Sequence, residues 1–139
     1  MLSFFLNQRR RGSEGGFTLI ELVVVLAILG ILLALAVPRY LGARKRAYKT
    51  EVDNILQETK TLSWAYYHEH GVFPTTIGNI TLQMPVGTAW NTPAPTGGGA
   101  TAFITWTSSG VGAPFPVVAG DLCSVTLSED GNSEQGCTF

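Results

Sequence analysis

Hydrophobic positions fall into three successive patterns along this chain, and each predicts a different element. From Leu19 to Val37 nearly every residue is aliphatic, and Glu21 alone carries a charge there. Residues 17–37 supply 21 positions, roughly 31 Å of helix at about 1.5 Å per residue, which matches a bilayer core. A helix that is apolar all round must be solvated by lipid or by other protein.

The second pattern is periodic. Leu41, Tyr48, Val52, Ile55, Thr59, Leu62 and Tyr66 recur at steps of seven, four, three, four, three and four, with Leu56 widening the stripe. This spacing predicts an amphipathic helix over 38–70 with one packed face. Gly71 is placed to end it and Pro74 to prevent its resumption. If both helical pieces are continuous, Phe17 to His70 forms roughly 80 Å of rod. Pro38 removes the hydrogen bond to Ala34 within it and favours a kink or local opening. Gly30 and Gly42 weaken the helix on either side.

The third pattern, over 72–139, is short alternation among Gly, Pro, Thr and Ser. Thr101-Ala-Phe-Ile-Thr-Trp-Thr and Leu122-Cys-Ser-Val-Thr-Leu read as antiparallel strands. Pro93-Ala-Pro-Thr-Gly-Gly-Gly and Gly110-Val-Gly-Ala-Pro-Phe-Pro read as loops. So short a head is marginal by itself, and its sheet is expected to lie on the stripe of the 38–70 helix. The fold class is therefore α+β: a long N-terminal helix, its first half membrane-spanning, packed against a small antiparallel sheet.

Charge sharpens this division. Charged residues make up 14% of the chain, against roughly 25% in soluble domains. The net charge of −1 conceals an asymmetry, because all nine Lys and Arg lie at or before Lys60. Beyond Lys60 the chain carries only the acids Glu69, Asp121, Glu129, Asp130 and Glu134. A base-free C-terminal half argues against nucleic-acid binding there. Basic residues flank the apolar run on both sides, so counting them does not set its orientation. Cys123 and Cys137 are expected to form a disulfide if that part lies outside the cytoplasm, and to be free thiols if it does not.

The head of the chain ends in Arg9-Arg10-Arg11-Gly-Ser-Glu14-Gly-Gly16, with its small residues before the apolar run rather than after it. Cutting there would remove the charges and keep the hydrophobic segment, unlike an ordinary secretory signal. With Gly16-Phe17-Thr-Leu-Ile-Glu21, the aliphatic run, Pro38, the helix continuing to Tyr66-Tyr67 and the C-terminal cysteine pair, the chain resembles a type IV pilin precursor or a type IV pilin-like protein. The resemblance implies that residues 1–16 are a leader removed by a prepilin peptidase between Gly16 and Phe17. It implies N-methylation of Phe17, an assembly role for Glu21, and loosening of the rod between Gly30 and Pro38 in assembled fibres. Residues 17–37 would be the transmembrane and assembly half of the helix, 38–71 its amphipathic half, and 72–139 an extracytoplasmic head with a Cys123–Cys137 loop. Before assembly the chain would cross the cytoplasmic (inner) membrane once, head outside. Afterwards it would lie in an extracellular pilus.

The resemblance implies partners too: further copies in a helical filament, the prepilin peptidase, the inner-membrane assembly machinery, and membrane lipid before assembly. DNA is a family ligand that this sequence does not itself indicate. The functional expectation is a structural subunit serving adhesion, twitching motility or DNA uptake. The alternatives are a pseudopilin of type II secretion or competence, or a single-pass anchored enzyme or binding module. An intramembrane carboxylate is costly and usually functional. Cleavage would give Glu21 an ammonium partner at Phe17 of its own or a neighbouring copy, and so a means of setting axial register.

Other clusters have plainer readings. His68-Glu69-His70 offers metal-ligand chemistry, but the two histidines point some 200° apart on a helix and suit its C-terminal dipole. Ser128-Glu-Asp-Gly-Asn-Ser-Glu134 faintly resembles a calcium loop, yet Asp130-Gly131 fits a hairpin turn better. Asn79-Ile80-Thr81 matches a glycosylation pattern of low specificity. Arg44-Lys45-Arg46 reads as a membrane flank before it reads as a site for DNA or anionic headgroups. Trp64, Tyr66, Tyr67 and Phe73 read as helix-to-sheet packing. No nucleophile–base pair, metal triad or cofactor cradle is assembled, so no enzyme is expected.

Overall fold

A computed structural model describes residues 16–112 and 114–138. The arginine cluster, Glu14 and the rest of the expected leader up to residue 15 lie outside the described residues. The chain divides into two compact units, Met1–Pro38 and Arg39–Phe139.

One helix, α1, spans Leu19–His70 and is assigned without a break through Gly30 and Pro38. Thr18 starts it. The Glu21 N–H donates to the Thr18 hydroxyl at 3.3 Å, and the Leu22 N–H to the Thr18 carbonyl at 3.3 Å, satisfying donors that a helix start leaves unpaired. Gly71 ends it, adopting a φ of 70° and donating its N–H to the Tyr67 carbonyl at 2.8 Å. Only glycine takes that left-handed conformation at no steric cost.

The second unit carries the packed core. Four strands, β1 (Ala94–Gly97), β2 (Phe103–Ser109), β3 (Leu122–Ser128) and β4 (Ser133–Cys137), form one antiparallel sheet in sequence order. The period of two places Ile104, Trp106 and Ser108 of β2 with Cys123, Val125 and Leu127 of β3 on the buried face. All of these but Ser108 join Val52, Ile55 and Leu56 of α1 in a single hydrophobic cluster. Phe73, Ile80, Ala89 and Trp90, from the segment between helix and sheet, and Val117, between β2 and β3, belong to it too. Small polar residues also fit on the helix face. Thr59 and Ser63 are fully buried, and each hydroxyl donates to the carbonyl four residues back, at 2.7 and 2.8 Å.

Two features differ from the sequence reading. Residues 94–97, expected in a loop, form the edge strand β1, with Thr96 opposite Thr105. Pro95 and Gly97 suit an edge, where half the backbone needs no partner. The strand expected from Thr101 begins instead at Phe103, because Thr101 closes a turn by bonding the Gly98 N–H at 2.9 Å.

Candidate functional site

The feature demanding a function is the surface of the first unit. Its large apolar side chains from Phe17 to Val37 are all substantially exposed, from 47% at Leu29 to 80% at Leu19. Soluble monomers rarely show so large a contiguous apolar surface. Over this stretch α1 is long and apolar enough to cross a membrane, by length and composition.

Gly16, Phe17 and Thr18 precede α1 without helical structure. Gly16 has open space around its α-carbon, and Phe17 is 78% exposed, so the Gly16–Phe17 bond is accessible. Glu21 lies in the first turn of α1 and is exposed. In the uncut chain the Phe17 nitrogen is an amide, so the amine–carboxylate pair expected after processing has no counterpart here. Glu21 also stands three residues after Thr18, the spacing of a capping box. Thr18 is the helix cap that reasoning on the sequence passed over, although the Thr-x-x-Glu pattern before an apolar run was there to signal it. Gly30 and Pro38 both sit inside the continuous helix, with no neighbour near Gly30.

In the second unit, Cys123 and Cys137 are joined by a disulfide across directly paired positions of β3 and β4. The intervening hairpin turns at Gly131, φ 87°. Asp130 supports the turn by accepting from the Asn132 backbone at 3.1 Å and its side-chain amide at 2.6 Å. Gln135 of β4, also overlooked in the sequence, bridges to the helix. Its amide donates to Asp53 and its oxygen accepts from Gln57, both at 2.7 Å. A glutamine in a polar strand carries no periodicity signal, so only tertiary structure brings it out.

Other expected candidates take structural roles. His70 stacks on Tyr66 with ring centroids 4.0 Å apart, and its Nδ1 lies 3.1 Å from the Tyr66 carbonyl. Trp64, Tyr67 and Phe73 form mutual ring contacts at the helix end. The Asn79 oxygen accepts the Thr75 and Thr76 N–H groups at 3.1 and 3.0 Å. Arg44 donates to the Tyr48 hydroxyl at 3.4 Å, a contact that raises its pKa above the ordinary value. Among the described residues, no three His, Cys, Asp or Glu side chains gather as a metal site would require.

A cleavable-looking junction, an uncovered apolar helical segment and a disulfide-closed sheet with its own core define the class of protein. Comparison with known proteins makes that class specific. Residues 11–37 match the prokaryotic N-terminal methylation motif. Fimbrial protein EcpC of Eikenella corrodens is 32% identical over 126 residues, covering 90% of this chain and 82% of that protein. Type IV major pilin protein PilE of Neisseria gonorrhoeae is 44% identical over 61 residues, covering 44% of this chain and 36% of that protein. Type II secretion system core protein G of Klebsiella michiganensis is 36% identical over 67 residues, 48% of this chain and 47% of that protein. The chain belongs to the type IV pilin-like family, and within it is a pilin-like structural subunit.

Proposed function

We propose that this chain is the structural subunit of a type IV pilus. It enters the cytoplasmic membrane with residues 1–16 as a cytoplasmic leader, 17–37 as the span, and 38–71 with the 72–139 head outside. A prepilin peptidase cuts between Gly16 and Phe17, and Phe17 is N-methylated. Assembly machinery then transfers the subunit from lipid into an extracellular helical filament. The observation that carries this reading is the exposed apolar stretch of α1, which lipid covers first and other copies cover afterwards. Both surroundings are apolar, so the exchange is nearly balanced and packing and charge pairing decide its direction. Head-to-tail contacts that do not close on themselves give an open helical polymer. Glu21 pairs with the Phe17 ammonium of a neighbouring copy and sets the axial register, and the helix between Gly30 and Pro38 loosens as copies pack.

A filament of this kind serves adhesion, twitching motility or DNA uptake. With no Lys or Arg after Lys60, any DNA affinity of the chain belongs to the 39–60 helix rather than to the sheet. The match to a type II secretion core protein over 67 residues supports a second reading, a pseudopilin in a short filament. Sheared surface fibres decide between them. Under the first reading they consist mainly of this chain, and mass spectrometry finds it beginning at methylated Phe17. Fibre-free cells whose processed chain stays in the membrane fraction point to the pseudopilin. A chain that still begins at Met1 overturns both.

A further inference from the structure

Residues 39–50 of α1 contain five cations, Arg39, Arg44, Lys45, Arg46 and Lys49, and no acid. At about 100° per residue they fall near 0, 140, 240, 280 and 340° around the axis, with no gap wider than about 140°. They form a collar around the helix instead of lining one side. Arg39, Lys45, Arg46 and Lys49 are exposed, and Arg44 is half-buried with its guanidinium 5.7 Å from the Tyr48 ring centroid. Gly42, which has no side chain, opens a groove of about 270 Å³ bordered by Lys45, Arg46 and Lys49. The first acids beyond the collar, Glu51 and Asp53, are half-buried, and Asp53 accepts from Gln135. The head brings apolar side chains to the same end. The Trp90 indole bonds the Tyr48 carbonyl, Trp90 bridges to Gly110, and the Val111 N–H donates to the Ala89 carbonyl at 2.9 Å. The other end of the sheet is tied through Gly99 to Phe73, after the end of α1. At the Tyr48 end Val86 is fully exposed, Phe115 61% and Val111 and Val118 50% each. Asp121, the acid of these loops, is half-buried and accepts the Val118 N–H at 2.8 Å.

We infer that the Arg39–Lys49 collar and these apolar loops together dock the folded head on a bilayer surface of anionic phospholipid. A partner protein or a DNA duplex meets a helix from one side, whereas headgroups surround a rod that passes through them. Charge complementarity selects anionic headgroups, and apolar side chains beside Lys and Arg are the pattern of interfacial segments. Arg39 follows the apolar run almost directly in sequence. Arg39 to Lys49 covers roughly 15 Å of helix, about the thickness of a headgroup layer plus one Debye length. Cations beside a span are ordinarily kept on its cytoplasmic side. In the topology proposed above these five stand on the far side against that bias, and a role at the outer headgroups accounts for them. This inference rests on the membrane stage of that reading.

Fluorescence quenching of the full chain in vesicles tests it. Val86→Cys carries a fluorophore, and the vesicles include a phospholipid with a nitroxide on its headgroup. Phosphatidylcholine vesicles are compared with vesicles that also contain phosphatidylglycerol. Quenching is expected to be at least about threefold stronger with phosphatidylglycerol and to lose that excess at high salt. Each cation near an anionic surface strengthens binding about fivefold. R39Q/K45Q/R46Q is therefore expected to weaken docking at least about tenfold and return quenching to the phosphatidylcholine level. Arg44 is kept in that variant because it bonds Tyr48, and circular dichroism checks that the helix is intact. Phe115→Ser is expected to lower quenching while leaving its dependence on lipid charge. Quenching that ignores phosphatidylglycerol, or that the triple variant retains, overturns the inference. So does quenching that follows the protein-to-lipid ratio in place of lipid charge, which would assign the surface to a second copy. Loss of duplex DNA binding in the triple variant with quenching unchanged would assign the cations to DNA, and also overturns it. A chain that alkaline carbonate strips from the vesicles removes the membrane reading itself. One that stays embedded yet ignores lipid charge removes this inference alone.

Discussion

Glu21 can act in two ways, and one substitution separates them. As the third residue after the Thr18 cap, its side chain can help close the helix start, and glutamine serves that purpose as well as glutamate. As a charge partner for a processed N-terminus, it must be ionised. Breaking a desolvated ion pair by removing one member costs several kcal/mol. Glu21→Gln is therefore expected to leave membrane insertion and helix content unchanged while lowering filament yield at least about tenfold. Filaments of normal amount and spacing would reduce Glu21 to a cap. A second residue-level contrast lies in the core. The Trp90 indole N–H donates to the Tyr48 carbonyl at 3.0 Å, whereas the buried Trp106 indole N–H has no acceptor. Replacing each with phenylalanine removes similar bulk. Trp90→Phe loses a hydrogen bond that is made, whereas Trp106→Phe removes an unsatisfied donor. Urea unfolding in detergent should find Trp90→Phe the more destabilising by about 1 kcal/mol.

At the scale of elements, β4 is an edge strand held mainly by its attachments. Its residues are mostly exposed, and it is held by the disulfide at Cys137 and by the bridges from Gln135 to Asp53 and Gln57. The cysteines stand 14 residues apart, and cross-linking a loop of that length stabilises by about 3 kcal/mol in the chain-entropy account. Replacing both with alanine should therefore lower unfolding free energy by about 3 kcal/mol, and Gln135→Ala by about 1 kcal/mol. Equal stability with and without the disulfide would mean that the hairpin is already fixed by its turn. The same strand shows where sequence reading stops. The apolar run and the stripe through Val52, Ile55 and Thr59 were legible because burial imposes a period on side chains. β2 and β3, central in the sheet, alternate for the same reason. The edge strands β1 and β4 bury little, so Ala-Pro-Thr-Gly and Ser-Glu-Gln-Gly-Cys carry no alternation to read. Ser63 escaped notice because its burial depends on a bond to its own backbone. The junction at Gly16–Glu21 was legible as a motif, whereas the bridges from Gln135 to Asp53 and Gln57 emerge only in the tertiary structure.

At the scale of the whole molecule, the boundary between the two compact units predicts what can be cut away. The cluster in the second unit draws Val52, Ile55 and Leu56 from α1, Ile104, Trp106, Val125 and Leu127 from the sheet, and Phe73, Ile80 and Trp90 from between them. A chain beginning at Arg39 keeps every one of these, and it loses the apolar surface that otherwise requires lipid or copies. It should be soluble without detergent, monomeric by light scattering, and cooperative in thermal unfolding. Beginning instead at Val72 removes the helix face and uncovers the inner side of the sheet. So few remaining residues cannot bury enough apolar area to offset chain entropy, and that fragment should show no cooperative transition even with its disulfide formed. Aggregation of the Arg39 chain, or folding of the Val72 fragment, would mean that helix and sheet do not share one core. The expected outcome makes the amphipathic half of α1 part of the sheet's folding unit, and leaves the first half to be stabilised from outside the chain.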